Sequence, residues 1–255
     1  MEILDLFKFY FYYIYYMIKE IESNIKFKKF EYTCDEEISK IKEKYPFLMP
    51  NYSWFYYIVG RPGVGKSTMM MNIVLYYKRC FDKILLISPS FSTLEENIFK
   101  TNLPEDQIFE DLDELVLEVI MERFENEYQG KKVLLILDDV QDRIKGGIEK
   151  TIKRLVNNKR HILGKGGNLS LIITSQIYNN LALSIRKSAN VIFTGGSKNI
   201  KEVNSLQEEY LGDYTKEQLN EIWEYTFDNP HNFLIIKANT SPTQLYKNFN
   251  KLVIE

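Results

Sequence analysis

Residues Tyr57 to Asn72 read YIVGRPGVGKSTMMMN, and this stretch restricts the available folds more than any other in the chain. Gly60, Gly63, Gly65, Lys66 and Ser67 satisfy G-x-x-x-x-G-K-[ST], with the apolar run WFYYIV directly before it and the helical pattern TMMMNIVLYYKR directly after it. Glycines let a loop turn its backbone N–H groups inward around phosphate oxygens, and the N-terminus of the following helix adds partial positive charge. In such a loop the lysine reaches the β and γ phosphates and the hydroxyl ligates Mg²⁺. The expected cradle for ATP is therefore Gly60, Arg61, Pro62, Gly63, Val64, Gly65, Lys66, Ser67 and Thr68, with Ser67 on the metal. An ordinary glycine-rich turn explains neither the Lys-Ser pair nor its place between a strand and a helix.

The rest of the chain repeats that strand-helix rhythm. Apolar runs rich in β-branched or aromatic residues occur at Trp54 to Val59, Ile84 to Ile87, Val133 to Leu137, Leu169 to Thr174, Val191 to Thr194 and Phe233 to Ile236. Helical patterns separate most of them, which predicts a mostly parallel sheet buried between helices. Ser92 and Thr93 in STLEE each stand three residues before a Glu, a helix start signal, and Gly130 in NEYQGKK reads as a helix stop. At 255 residues and 45% hydrophobic content the chain has enough apolar mass for one sizeable domain with appendages. Residues 1–50 read as an N-terminal aromatic-rich helical extension closed by the prolines of YPFLMPN, and 51–255 as the nucleotide-binding domain. Seven of the ten residues Phe9 to Ile18 are aromatic, but that run is half of what a spanning helix requires and lacks a signal-peptide cleavage pattern. It is expected to pack on the core, with an interfacial or partner-binding helix as the other reading. Cys34 and Cys80 match neither a disulfide framework nor a metal-ligand spacing.

A bound nucleotide needs a metal partner, and KKVLLILDDVQD offers one: a fully apolar strand that ends in Asp138 and Asp139. Carboxylates delivered at the C-terminal edge of a buried strand sit where open α/β sheets carry out chemistry. Asp138 is expected to hold Mg²⁺ and Asp139 to orient or deprotonate the attacking water. A solvated turn after a strand is the plain alternative. One more strand, KILLIS, falls in sequence between the loop strand and the acidic strand, and a later one, NLSLIITSQ, ends in Gln176, whose amide is suited to sensing a γ-phosphate.

Taken in order, these motifs resemble the genome-packaging ATPases of large eukaryotic DNA viruses and virophages, the poxvirus-like branch of the FtsK and HerA superfamily. The resemblance covers about Trp54 to Phe193: the phosphate loop, Asp138 and Asp139, Arg160 and His161, the Gln176 strand, then IRKSANVIF with Arg186 and Asn190. It implies a three-layer P-loop NTPase with an additional-strand, RecA/FtsK-like core. It also implies a homo-oligomeric ring, pentamer or hexamer, that hydrolyses ATP to drive double-stranded DNA into a preformed capsid. In that family an arginine preceding the sensor strand acts in trans on the neighbouring subunit's ATP; Arg160 holds the matching position and Arg186 is the second candidate. Where the FtsK-like pattern usually carries Glu after the metal-binding Asp, this chain has Asp139, one methylene shorter.

Charge adds one further expectation. The net charge is only −2, so any nucleic-acid surface has to be local. Between Lys145 and Lys165 stand seven Lys or Arg residues with the single acid Glu149, whereas Leu103 to Glu118 carries seven acids and no base. Lys150, Lys153, Arg154, Lys159 and Lys165 are the expected contacts to DNA phosphates, although such a run also serves as a plain solvated face. The resemblance implies capsid proteins as partners and a place in the host cytoplasm, at a virus factory, and in the virion. Two other functions explain part of the sequence: a nucleotide-dependent assembly switch with little turnover, and a nucleotide kinase, which leaves Gln176 and the basic run without a role.

Overall fold

A computed structural model describes residues 36–48, 51–91 and 103–254, all within one compact unit, Cys34–Glu255. The aromatic segment Phe9 to Ile18, Cys34 and the helix start expected at Ser92 and Thr93 lie outside the described residues. Among the described residues nine strands form a single sheet: β1 Phe55–Val59, β2 Lys83–Ile87, β3 Ile108–Phe109, β4 Lys132–Leu137, β5 Asn168–Ser175, β6 Val191–Thr194, β7 Leu234–Lys237, β8 Gln244–Lys247 and β9 Asn250–Lys251. Their order is β3-β2-β4-β5-β1-β6-β7-β8-β9. The first six positions pair in parallel, and β7, β8 and β9 extend the sheet antiparallel. All six expected strands are present, their ends shifted by at most a residue. The short β3, β8 and β9 carry no long apolar run and escaped the sequence reading.

The described helices are α1 Glu36–Lys44, α2 Lys66–Tyr77, α3 Glu114–Asn126, α4 Gly146–Asn158, α5 Leu183–Arg186, α6 Ile200–Tyr210 and α7 Lys216–Thr226. They cover both faces because each central strand is apolar on both. In β1, Phe55, Tyr57 and Val59 enter one core with Leu117, Ile120 and Phe124 of α3, Ile152 and Leu155 of α4, and Leu206 and Ile222 from α6 and α7. Tyr56 and Ile58 enter the opposite core with Ile38 of α1 and Met70, Ile73 and Tyr77 of α2. Alternate side chains of a strand point to opposite faces, so one continuous apolar run supports two cores and three layers. Each fully buried Leu, Ile or Phe contributes about 1.5–3 kcal/mol of transfer free energy.

Sheet order refines one inference from the sequence. KILLIS, now β2, does not separate the loop strand from the acidic strand; it lies beyond β4. The strand inserted between β1 and β4 is β5, which ends next to Gln176. Parallel pairing aligns the C-terminal ends of β1, β4 and β5 at one edge. Among the described residues, no helix is long and apolar enough to cross a membrane.

Candidate functional site

The loop after β1 is held in shape from both sides. Gly60 N–H donates to the Ser175 carbonyl at 3.1 Å, fixing the loop's start to the end of β5. Val64 seats the loop's tip against two glycines: a Cβ on Gly60 would lie 2.7 Å from Val64 Cγ1, and one on Gly195 would lie 2.4 Å from Val64 Cγ2. Gly63 and Gly65 adopt φ of 79° and 98°, a left-handed geometry that costs other residues 1–2 kcal/mol each, by order of magnitude. α2 then begins at Lys66 with no side-chain cap and no acid in its first turn. Its first N–H groups therefore have no helical partner and the helix dipole is unopposed, which together make an anion site. Lys66 is buried, Ser67 half-buried and Thr68 exposed, while Arg61 and Pro62 are exposed at the loop's mouth.

The acidic pair sits opposite at the end of β4. Asp138 is buried, and both of its oxygens accept hydrogen bonds, Oδ1 from Thr174 Oγ1 at 2.7 Å and Oδ2 from Ser88 Oγ at 3.0 Å. Burial pushes its carboxyl above the usual range; those two hydrogen bonds act in the other direction, and the charge of Asp139 adds to the rise. Asp139 has φ of 52°, one of three positive values outside glycine among the described residues. Its N–H donates to Thr174 Oγ1 at 2.8 Å, so a single threonine on β5 fixes the Asp138 carboxylate and the Asp139 backbone. Asp139 Oδ2 lies 3.8 Å from Lys66 Nζ, and its Oδ1 is buried without a hydrogen-bond partner. Gln176 is half-buried and lines a small cavity together with Gly60 and Arg61.

The donor set fits Mg²⁺ in one specific way. Among the described residues no group of three or more His, Cys, Asp or Glu is arranged to hold a metal, so no all-protein cage exists. Mg²⁺ commonly uses one or two protein oxygens, waters and substrate phosphates. The Ser67 hydroxyl at the helix start and the acidic pair across from it supply that kind of partial set.

The structure therefore brings Lys66, Ser67, Asp138, Asp139 and Gln176 together at the C-terminal edge. It separates Arg160 from them. α4 runs back along the sheet, and the Lys159 carbonyl accepts the Leu169 N–H at 2.9 Å, at the opposite end of β5. At about 3.3 Å per strand residue, Arg160 is on the order of 20 Å from its own chain's loop. It is exposed and makes no hydrogen bond or ion pair with the described residues.

Arg186 requires a correction. Its guanidinium is not free to reach a neighbour: Nη2 meets Glu209 Oε1 at 2.6 Å, Nε meets Oε2 at 2.9 Å, and Nη1 donates to the Leu181 carbonyl at 2.8 Å. Tyr178 donates to Glu209 Oε2 at 2.7 Å, Tyr57 donates to the Tyr178 carbonyl at 2.9 Å, and Tyr210 donates to the Arg186 carbonyl. This part-buried network ties the segment after Gln176 to α6. The bond to Glu209 raises Arg186 above its usual value, so the ion stays charged.

α4 shows the basic face clearly. Ile152, Leu155 and Val156 are buried, and Lys150, Lys153 and Arg154 form the exposed stripe on the other side. Lys165 is exposed in the turn that follows. Lys159 is the exception to the expectation. Its ammonium turns inward to the Val156 carbonyl at 3.1 Å, and burial lowers its basicity.

Sequence reasoning missed Thr174 and Ser88. TSQ contained the first and KILLIS the second, but their roles arise only from β5 and β2 flanking β4. Trp223 and Phe227 also went unassigned; with His231 they line a cleft of about 840 Å³ beside Arg61 to Val64.

Comparison with known proteins yields one family: the NB-ARC domain matches residues 34–163, just over half of the chain. No curated protein sequence matches it. The genome packaging NTPase B204 from Sulfolobus turreted icosahedral virus 2 is similar in structure. Its sulfate complex has a TM-score of 0.56 at 15% identity, over 80% of this chain and 99% of that one. Its AMP complex has a TM-score of 0.53 at 15% identity, over 80% and 100%. EssC (ATPases 2 and 3) from Geobacillus thermodenitrificans has a TM-score of 0.50 at 14% identity, over 78% of this chain and 40% of that one. At such identities the likeness is one of fold.

Proposed function

This chain belongs to the NB-ARC domain family of P-loop NTPases, and from that premise we propose that it is a magnesium-dependent ATPase that translocates double-stranded DNA as a homo-oligomeric ring. The observation that carries the reading is the facing of Lys66 and Asp139. Asp139 keeps one buried oxygen free of partners while its other oxygen lies 3.8 Å from the lysine. A carboxylate with an open acceptor, beside the ammonium that neutralises a transferring phosphoryl group, is the arrangement that attack by water requires.

Roles follow from placement. The N–H groups of Gly63, Gly65 and the first turn of α2 hold phosphate oxygens, and Lys66 neutralises the β and γ phosphates. Ser67, at the start of α2, and Asp138, at the end of β4, would hold Mg²⁺. When bound, Mg²⁺ draws charge from the transferring oxygens and screens them from one another. Asp139 orients the attacking water and accepts its proton, and Gln176 hydrogen-bonds the γ end. Arg160, exposed and distant from its own loop, acts on the ATP of the adjacent subunit. An arginine so supplied is worth about 10³ to 10⁵ in rate and makes turnover depend on assembly.

Lys150, Lys153, Arg154 and Lys165 grip the DNA backbone without reading sequence. Support for a packaging role comes from this stripe and from the fold shared with the viral packaging NTPase B204. Capsid proteins are then the receiving partner, and the host cytoplasm, in a virus factory, and the virion are the sites of action. One feature favours a second reading: Asp139 is a methylene shorter than Glu, which suits a nucleotide-dependent assembly switch with slow turnover.

ATP hydrolysis measured with and without long duplex DNA separates the two. The motor reading expects at least a several-fold stimulation that weakens as salt rises. Reversing Lys150, Lys153 and Arg154 to Glu abolishes that stimulation and leaves basal turnover intact. Turnover that DNA leaves unchanged at every salt concentration supports the switch instead.

A further inference from the structure

The phosphate loop faces two ways. Asp139 lies at the end of β4, on the β5 and β4 side of β1, so the γ end of a bound nucleotide points there. The remainder has to leave on the other side, over β6 and β7. There the structure opens the cleft of about 840 Å³, within the usual range for ligand pockets. One wall is Arg61 to Val64, the floor is Gly195 to Lys198 and the far wall runs from Trp223 to His231.

We propose, as an extension of the nucleotide-binding reading above, that this cleft holds the nucleoside and stacks the base on Trp223 and Phe227. The base edge is left to solvent, so adenine and guanine nucleotides bind about equally.

Two observations support stacking. Trp223 and Phe227 pair edge to face, with centroids 4.8 Å apart at 63°, and both are half-buried at the cleft wall. Their position is fixed by the floor: a Cβ on Gly196 would lie 2.9 Å from Phe227 Cδ1, and Gly196 has φ of 78°. Phe227 thus rests directly on a glycine, and both rings line the cleft.

The polar groups around the cleft support weak discrimination. Glu224, Asp228, Asn229 and His231 are all exposed. Asp228 is already taken by Lys247 at 2.8 Å and by Asn232 at 2.7 Å, and Ser197 Oγ accepts the Asn199 N–H at 3.0 Å. Strong selectivity arises where the wrong ligand leaves a buried polar group unpaired. None of these lining groups is buried, so exchanging adenine for guanine strands nothing.

Calorimetric titration with ATP, GTP and inorganic tripolyphosphate, each with Mg²⁺, tests both parts on the whole chain. Base stacking makes ATP bind about 5- to 150-fold more tightly than tripolyphosphate. Trp223→Ala collapses that ratio towards one while tripolyphosphate affinity holds, which also certifies folding; Trp223→Phe keeps most of the ratio. If Trp223→Ala loses tripolyphosphate as well, Phe227→Leu reads the same ratio. GTP binds within about tenfold of ATP in the unmodified chain. An unchanged ATP-to-tripolyphosphate ratio in the Trp223 and Phe227 variants overturns the stacking site, and a preference for ATP over GTP of a hundredfold or more overturns the weak edge reading. Lys66→Ala keeps the two ideas apart: loss of all three ligands there, with the ratio unmoved at Trp223, sinks this proposal and leaves the phosphate loop standing.

Discussion

Asp139 holds a left-handed backbone because its N–H has somewhere to go, and that partner, Thr174, simultaneously donates to Asp138. Thr174→Val keeps the shape and deletes both bonds. It leaves one buried acceptor and one amide unpaired, an expected loss of about 1–3 kcal/mol in denaturant unfolding, with a fall in hydrolysis that Thr174→Ser restores. Asp138 gives a pH signature. Its folded carboxyl binds its proton up to a higher pH than the unfolded one, so unfolding releases a proton in that window and stability falls as pH rises through it. Asp138→Asn removes this cost. Without nucleotide, the variant is expected to melt about 2–4 °C higher than the parent at pH 8, with the gain shrinking towards pH 4, while hydrolysis is lost. The loop glycines, Lys66 and the acidic pair were legible from sequence because motif and flanking strand coincide. Thr174 and Ser88 were not, since a threonine in an apolar strand acquires its role only from the neighbour it is paired with.

Strands and helices were read where pattern and burial agree. The central strands are apolar on both faces, and α4 alternates buried and basic stripes at the helical period. The run of positive charge did not reveal that Lys159 turns inward, because residues past the last turn of a helix no longer follow its period. Arg186 was misjudged for a related reason. Its partner, Glu209, is 23 residues later on α6, and no local pattern links them. The pair is nearly buried, at 11% and 8% side-chain exposure, so cutting it to one partner costs more than a surface bridge. Arg186→Ala is expected to destabilise the chain by about 3–5 kcal/mol and to speed amide hydrogen exchange at Tyr178–Asn180 more than in α3. Equal exchange in both places speaks against a local tether.

Across the whole molecule the sheet separates two chemistries. Phosphate-binding and acidic groups gather at the C-terminal strand edge, and Arg160 with the turn that follows α4 lies at the other. The parallel order was legible in outline from alternating elements, but the insertion of β5 between β1 and β4 was not, because sequence order does not fix neighbours in a sheet. That insertion puts Gln176 at the strand edge beside the loop, while Arg160 lies at the opposite end of β5. The most direct measurement of a shared site is steady-state ATP hydrolysis with duplex DNA for Arg160→Ala, Asp139→Asn and their equimolar mixture. The account predicts each variant inactive alone, at least a hundredfold down, and the mixture regaining a clear fraction of activity, because some interfaces then pair an intact Asp139 with an intact Arg160. Full activity in Arg160→Ala alone, or a mixture as inactive as its components while they still co-assemble, contradicts it.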